Sequence, residues 1–151
     1  MSLLSKITEE ELKMLMVAAW EYSQNATCNR LSVGAIIIDD DLTILGHGSN
    51  RAPEGMPSCY DDGCLMYDNS CKRTVHAEAN AVMNAIQAGH NIRGKMMIVT
   101  HRPCPDCMKL ITQYGLHSVV YDKEYTPKYK YPSNAIIAQM NTLIVMRKTY
   151  C

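Results

Sequence analysis

Two short segments hold the residue types that metal-assisted hydrolysis needs. His76-Ala77-Glu78 sets an imidazole two positions before a carboxylate, and Pro103-Cys104-Pro105-Asp106-Cys107 sets two thiols three positions apart. On a first helical turn that spacing points both sulfurs the same way, and the positive helix end favours their thiolate forms. One imidazole and two thiolates make three ligands. A structural zinc takes four protein ligands, whereas three leave a position open for a water whose pKa the metal lowers toward neutrality. His76, Cys104 and Cys107 are therefore candidate ligands of a catalytic zinc. Glu78, close to such a water without ligating, is the candidate proton shuttle. Either segment alone says little, since Cys-x-x-Cys also serves redox pairs and structural zinc.

For the two segments to meet, the chain must bring two helix starts to one place. Alternating helical and strand patterns, without linker or repeat, predict an α/β domain. A helix opens at Thr8, with Glu11 completing a capping box and Ile7 and Leu12 at the staple positions, and runs to about Ser23. Its stripe Leu12, Leu15, Met16, Ala19 and Tyr22 reads as core. Val33 to Ile38 and Thr43 to Gly48 form a hairpin around Asp39-Asp40-Asp41. Further on come a helix from Thr74 to Ala88, a strand from Lys95 to Thr100, a helix from Cys104 to Tyr114 and a strand from Val119 to Tyr121. A last helix from Ser133 to Gln139 and a strand from Leu143 to Met146 follow. Strand-helix-strand crossovers make this a three-layer α/β/α sandwich on a mixed, mainly parallel five-stranded sheet, with the first hairpin as its antiparallel part. Both motifs then lie at strand ends or helix N-termini, where such sheets form crevices.

Composition narrows the field. The 151 residues are expected to form one domain over 1–151, and fifteen basic residues balance fifteen acidic ones without a Lys/Arg block longer than two. That excludes the basic footprint of a protein gripping long nucleic acids. No apolar run reaches membrane-spanning length, and the N-terminus lacks the features of a secretory signal, so a cytoplasmic location is expected. In a reduced compartment clustered cysteines point to metal or catalysis. Cys28, Cys59, Cys64 and Cys71 remain beside the irregular stretch 49–73, too long for a compact domain unless it is functional or tied down. Four thiolates would close a structural zinc site there, the alternative being free thiols. Cys151, at the end, is read as incidental.

His-x-Glu followed by Pro-Cys-x-x-Cys is the signature of zinc-dependent base deaminases. On these residues, over roughly 8–125, the chain resembles the cytidine and deoxycytidylate deaminase superfamily. His76 to Ala81, Cys71 to Thr74 and Val99 to Cys104 are most similar to deoxycytidylate deaminases. The resemblance implies a cytidine deaminase-like fold and conversion of dCMP, or also dCTP, with water to dUMP and ammonia, feeding thymidylate synthesis. It implies that Asn50 hydrogen-bonds the deoxyribose, that the Ala77 backbone reads the pyrimidine edge, and that Tyr125 or Tyr121 packs near the base. Where the family writes Gly-Tyr-Asn-Gly this chain has Gly48-Ser49-Asn50-Arg51, so Arg51 departs from the pattern in the same segment. Arg30, Arg51, Lys72, Arg73 and Arg102 lie in loops suited to a 5′-phosphate. The Cys59 to Cys71 segment is similar to those that carry a second zinc in phage and bacterial members.

The resemblance further implies a homo-oligomer, a hexamer, activated by dCTP and inhibited by dTTP. Met56, Met66 and Tyr67 in or beside the long loop are surface that a second subunit would cover. The competing functions are deamination of another base, a tRNA adenosine or free cytosine, and a catalytically silent zinc-binding module. The presence of Glu78 speaks against silence, and the neutral charge against tRNA.

Overall fold

The computed structural model describes residues 3–67, 70–125 and 143–149. The helix expected over 133–139 and Cys151 lie outside them. The elements are α1 (Leu3–Lys6), α2 (Glu9–Ser23), β1 (Gly34–Ile38), β2 (Ile44–Ser49), α3 (Cys59–Asp62), β3 (Met66–Tyr67), β4 (Ser70–Cys71), α4 (Ala77–Gln87), β5 (Met96–His101), α5 (Pro105–Gln113), β6 (Ser118–Lys123) and β7 (Ile144–Arg147).

The main sheet has the order β2-β1-β5-β6-β7. β5, β6 and β7 pair in parallel, while β1 is antiparallel to both β2 and β5. β1 thus runs against the other four strands. The sheet is mixed as expected, but its antiparallel part extends beyond the hairpin to the β1/β5 pair. No loop of ordinary length can return the hairpin to a parallel neighbour, so α4 carries the chain over β1 to the next position.

Side-chain alternation splits β1 between two cores. Ile36 and Ile38 pack with Leu12, Met16 and Ala19 of α2, while Ala35 and Ile37 pack with Ala81, Ala85, Met108 and Ile111 of α4 and α5. Both clusters are sealed, which makes a three-layer sandwich. Truncating Ile37 to Ala would remove roughly 2–5 kcal/mol. α2 begins as its sequence predicts, with the Thr8–Glu11 capping box formed in both directions. The acidic turn is held by Asp39, whose Oδ1 accepts from the backbone N–H groups of Asp41 and Thr43, each at 2.9 Å.

The seat of α4 on β2 sets where the His76 segment can point. A Cβ at Gly46 or Gly48 would strike the backbone of Ala81 and, at Gly48, of Ala77 as well, so glycine lets the first turns of α4 lie directly on β2. Two asparagines fix the register: Asn80 Nδ2 donates to Ser49 O at 2.8 Å and Asn84 Nδ2 to His47 O at 2.7 Å. Side chains four apart on the helix meet carbonyls two apart on the strand. α4 starts at Ala77, three residues later than Thr74, because Val75 is drawn into a two-way backbone bridge with Arg51. The stretch expected to be irregular carries α3, capped by a Ser58–Asp61 box, and the small β3/β4 hairpin.

Candidate active site and metal centres

His76 is the N-cap of α4 and Cys104 the N-cap of α5, and neither side chain caps its own helix. Both are thereby free to face another group at the positive ends of two helices. Pro105 at the first position of α5 costs no hydrogen bond there and sets the helix entry. Cys107, one turn in, brings its sulfur back to the cap.

The three ligating atoms lie within 4.8 Å of one another. His76 Nδ1 stands 3.3 Å from Cys107 Sγ and 3.6 Å from Cys104 Sγ. Tetrahedral zinc with ordinary Zn–N and Zn–S bonds would hold such atoms roughly 3.6–3.8 Å apart. The set fits zinc in chemistry and spacing. Cys104 is drawn far below the usual thiol range by the hydrogen bond from Cys107 and then by His76, against the effect of burial. Cys107 moves the opposite way, because its proton is engaged by Cys104 and its site is buried. His76 is raised to about 8, chiefly by its bond to Cys104.

Glu78 sits in the first turn of α4 and is 4% exposed. Burial raises its carboxyl above the usual range, while the neighbouring His76 acts in the lowering direction. Beside a water-activating metal, a carboxylate with raised proton affinity is suited to take up a proton and return it.

His76, Cys104 and Glu78 open onto a cavity of about 210 Å³ that Ala77, Asn50 and Tyr125 also line, with Cys107 set behind its wall. Ala77, fully buried at the first position of α4, forms part of its wall. Asn50 is engaged on both sides of its amide, accepting from Val33 N at 2.8 Å and donating to Leu31 O at 2.7 Å. It shapes the cavity by holding residues 31–33. Of the two tyrosines Tyr125 is at the cavity, whereas Tyr121 hydrogen-bonds Glu124 Oε1 at 2.6 Å and lies under the Arg102 guanidinium, outside the lining. Arg51 is not brought to the cavity. Its guanidinium bonds the Asn25 carbonyl, and it borders a second depression with Tyr22, His47 and Asn84. Among the other basic candidates Arg30 and Arg102 line the cavity, and Arg73 instead donates to Gly63 O at 2.8 Å. His101 lines the cavity too, and sequence reasoning missed it. Its only signal is a titratable side chain closing β5 just before the Pro-Cys segment.

The leftover cysteines converge as well. Cys28, Cys59, Cys64 and Cys71 place their sulfurs within 4.8 Å of one another, with Cys28 and Cys64 at 3.9 Å and Cys59 and Cys71 at 3.6 Å. All four are free of disulfides. Burial, followed by the Cys71 hydrogen bond, pushes Cys59 up. Cys71 is lowered to about 7 by hydrogen bonds from the Arg73 backbone and from Cys59, which outweigh its own burial. Cys28 and Cys71 also line the catalytic cavity, so the two clusters share a wall. Among the described residues no helix is long and apolar enough to cross a membrane.

A family model described as the cytidine and deoxycytidylate deaminase zinc-binding region matches residues 9–123 of the chain. Deoxycytidylate deaminase of Enterobacteria phage T2 is 46% identical over 145 residues, covering 71% of this chain and 77% of that protein. ComE operon protein 2 of Bacillus subtilis is 45% identical over 100 residues, and the match spans 66% of this chain but only about half of the relative, 52%. Among solved structures, dCMP deaminase from the cyanophage S-TIM5 in complex with dCMP and dUMP superposes with a TM-score of 0.79 at 32% identity, over 94% of this chain and 99% of that one. With the His-x-Glu and Pro-Cys-x-x-Cys segments at two facing helix starts, and the zinc-binding region matched over most of its length, the chain belongs to the cytidine and deoxycytidylate deaminases.

Proposed function

We propose that the protein hydrolyses the exocyclic amine of dCMP, giving dUMP and ammonia, with dCTP as a further substrate to be tested. The observation that carries the reading is Glu78, a buried carboxyl of raised proton affinity next to a His-Cys-Cys triad in a small-molecule cavity. Zinc held by His76, Cys104 and Cys107 would supply a water ready to lose its proton at neutral pH. Glu78 accepts that proton and gives it to ring N3 while the water oxygen bonds to C4. A second transfer through Glu78 protonates the amine, the C4–N4 bond breaks, and C4 regains a carbonyl. Initial rates across dCMP, dCTP, CMP, deoxycytidine and cytosine test the assignment. Clear preference for cytosine or deoxycytidine over dCMP would overturn it.

The second cluster is proposed to bind a structural zinc through Cys28, Cys59, Cys64 and Cys71. Four buried or half-buried thiols around one point match a closed four-thiolate site. Metal analysis is then expected to give two zinc ions per chain, and a single ion would remove this site. The protein is further proposed to act as one deaminase domain over 1–151 in the reducing cytoplasm. There it would form a homo-oligomer, a hexamer, with dCTP as activator and dTTP as inhibitor. Support for assembly comes from the exposed side chains of Met56, Tyr60, Leu65, Met66 and Tyr67 around the four-cysteine segment. Light scattering together with dCMP saturation curves, with and without each triphosphate, decides both points. A monomer with hyperbolic kinetics would reject them.

A further inference from the structure

His101 closes β5 at the rim of the catalytic cavity, and its ring is gripped on two sides. Its Nδ1 lies 2.7 Å from the hydroxyl of Thr100. Its ring meets Trp20 of α2 edge-on, with centroids 5.3 Å apart. Thr100 is fully buried, and its Oγ1 already accepts from the backbone N–H of Gly34 at 3.1 Å. The buried hydroxyl proton needs an acceptor of its own, and among the described residues Nδ1 is the one within reach. The imidazole is then an acceptor at Nδ1, which requires the proton to sit on Nε2.

We propose that Thr100 locks His101 as a neutral Nε2–H donor, and that the cavity offers this donor to an acceptor oxygen of the bound nucleotide. The proposal rests on the cavity being the nucleotide site. Its surroundings suit the role. On β6, Asp122 acts to raise the His101 pKa and Lys123 to lower it, but burial dominates and keeps the ring below the usual histidine range. Asp122 is also occupied, accepting from Trp20 Nε1 at 2.9 Å and from the Thr149 hydroxyl at 3.0 Å. Glu78, Arg30, Arg102 and the candidate metal ligands His76 and Cys104 are the other charged groups lining this cavity, with Cys28, Cys71 and Tyr125 as its further titratable side chains. A neutral donor binds oxygen without adding charge beside a carboxyl that must hold a proton in transit.

The chain contains a single tryptophan, and it is the one against this ring, so its fluorescence reports His101 directly. An imidazolium in contact with indole quenches it, whereas neutral imidazole does so weakly. In the zinc-loaded protein Trp20 emission should stay flat from about pH 8 down to below the ordinary histidine value near 6.5. Thr100→Val, which removes the lock and leaves the burial, should move the His101 titration upward relative to the parent, and His101→Leu should abolish it. Because loss of the Gly34 partner could unfold the Val variant, the wild-type tautomer is read independently from the imidazole ¹⁵N resonances. Nδ1 unprotonated and Nε2 protonated is the expected result, and the reverse overturns the lock. For the donor role, His101→Leu should weaken dUMP binding about tenfold and His101→Gln less. If deoxyuridine shows the same loss the acceptor lies on the nucleoside, and if only dUMP does it is the phosphate. Binding of dUMP unchanged in His101→Leu rejects the donor. Failure of the wild-type protein to bind dUMP at all would reject the nucleotide site, while the fluorescence and nitrogen measurements would still decide the lock.

Discussion

Asn50 Oδ1 accepts the backbone N–H of Val33 at 2.8 Å while its Nδ2 donates to Leu31 O, so one side chain ties the end of β2 to the entry of β1. The amide is 7% exposed. A residue that holds two part-buried backbone groups contributes to stability as well as to any contact with substrate. Asn50→Ala is expected to cost about 1–2 kcal/mol in denaturant unfolding, from two part-buried backbone groups that lose their partner. Asn50→Asp should be no better, since a carboxylate keeps the Val33 bond but presents an acceptor to the Leu31 carbonyl. A destabilisation below about 0.5 kcal/mol with large loss of turnover would assign Asn50 to the substrate alone.

Glu78→Gln keeps the volume and removes the proton carrier. Turnover of dCMP should fall by roughly 10²–10⁴-fold, with zinc content and melting temperature near those of the parent. Loss of zinc in this variant would mean that Glu78 supports the metal ligands and not the chemistry.

The shared wall of the two cysteine clusters leads to a kinetic expectation. Cys59→Ser, which alters the four-cysteine cluster away from the cavity lining, should remove one zinc and lower thermal stability. It should also raise KM for dCMP, because Cys28 and Cys71 form part of the cavity surface. Parallel zinc analysis and kinetics separate the effects, and an unchanged KM would show that the wall holds its shape without that ion.

The α2 cap gives a pH prediction with a definite sign. Hydrogen bonds from the Thr8 backbone and side chain lower the Glu11 pKa. A carboxylate depressed in the folded state contributes stability above its unfolded value, near 4.3, and loses it as the pH falls through the folded value. Thr8→Ala should therefore lower the unfolding free energy at neutral pH, with the gap to the parent narrowing below about pH 4. Unfolding curves at about pH 7 and about pH 3.5 check both parts.

What could be read from the sequence was what local spacing determines. His76, Glu78, Cys104 and Cys107 sit at two helix starts, and residues within a turn of one another have little choice of relative direction. The Thr8 box and the acidic turn were legible for the same reason. Arg51 was not, because the Asn25 carbonyl that captures it is brought near only by the fold, and Tyr121 was not, because no spacing rule at the end of a strand shows that it turns to Glu124, three residues on. The start of α4 was misplaced by a bridge between Val75 and the distant Arg51, which no helix signal reveals. His101 lacked any pattern of its own. Its meaning comes from Thr100 and Trp20, one of them on another layer of the sandwich.

The pair Asn80 and Asn84 has a consequence for how copies of this chain can meet. β2 is an outer strand of the sheet, and such a strand is a template on which another chain can add its own. Here the carbonyls of His47 and Ser49 are already bonded to side chains of the helix that covers them. An incoming strand would have to strip both amides from α4 and loosen the helix that carries Glu78. Aggregation by strand addition at this border is thereby tied to loss of activity, and association across the β2 edge that leaves the enzyme working must proceed through side chains.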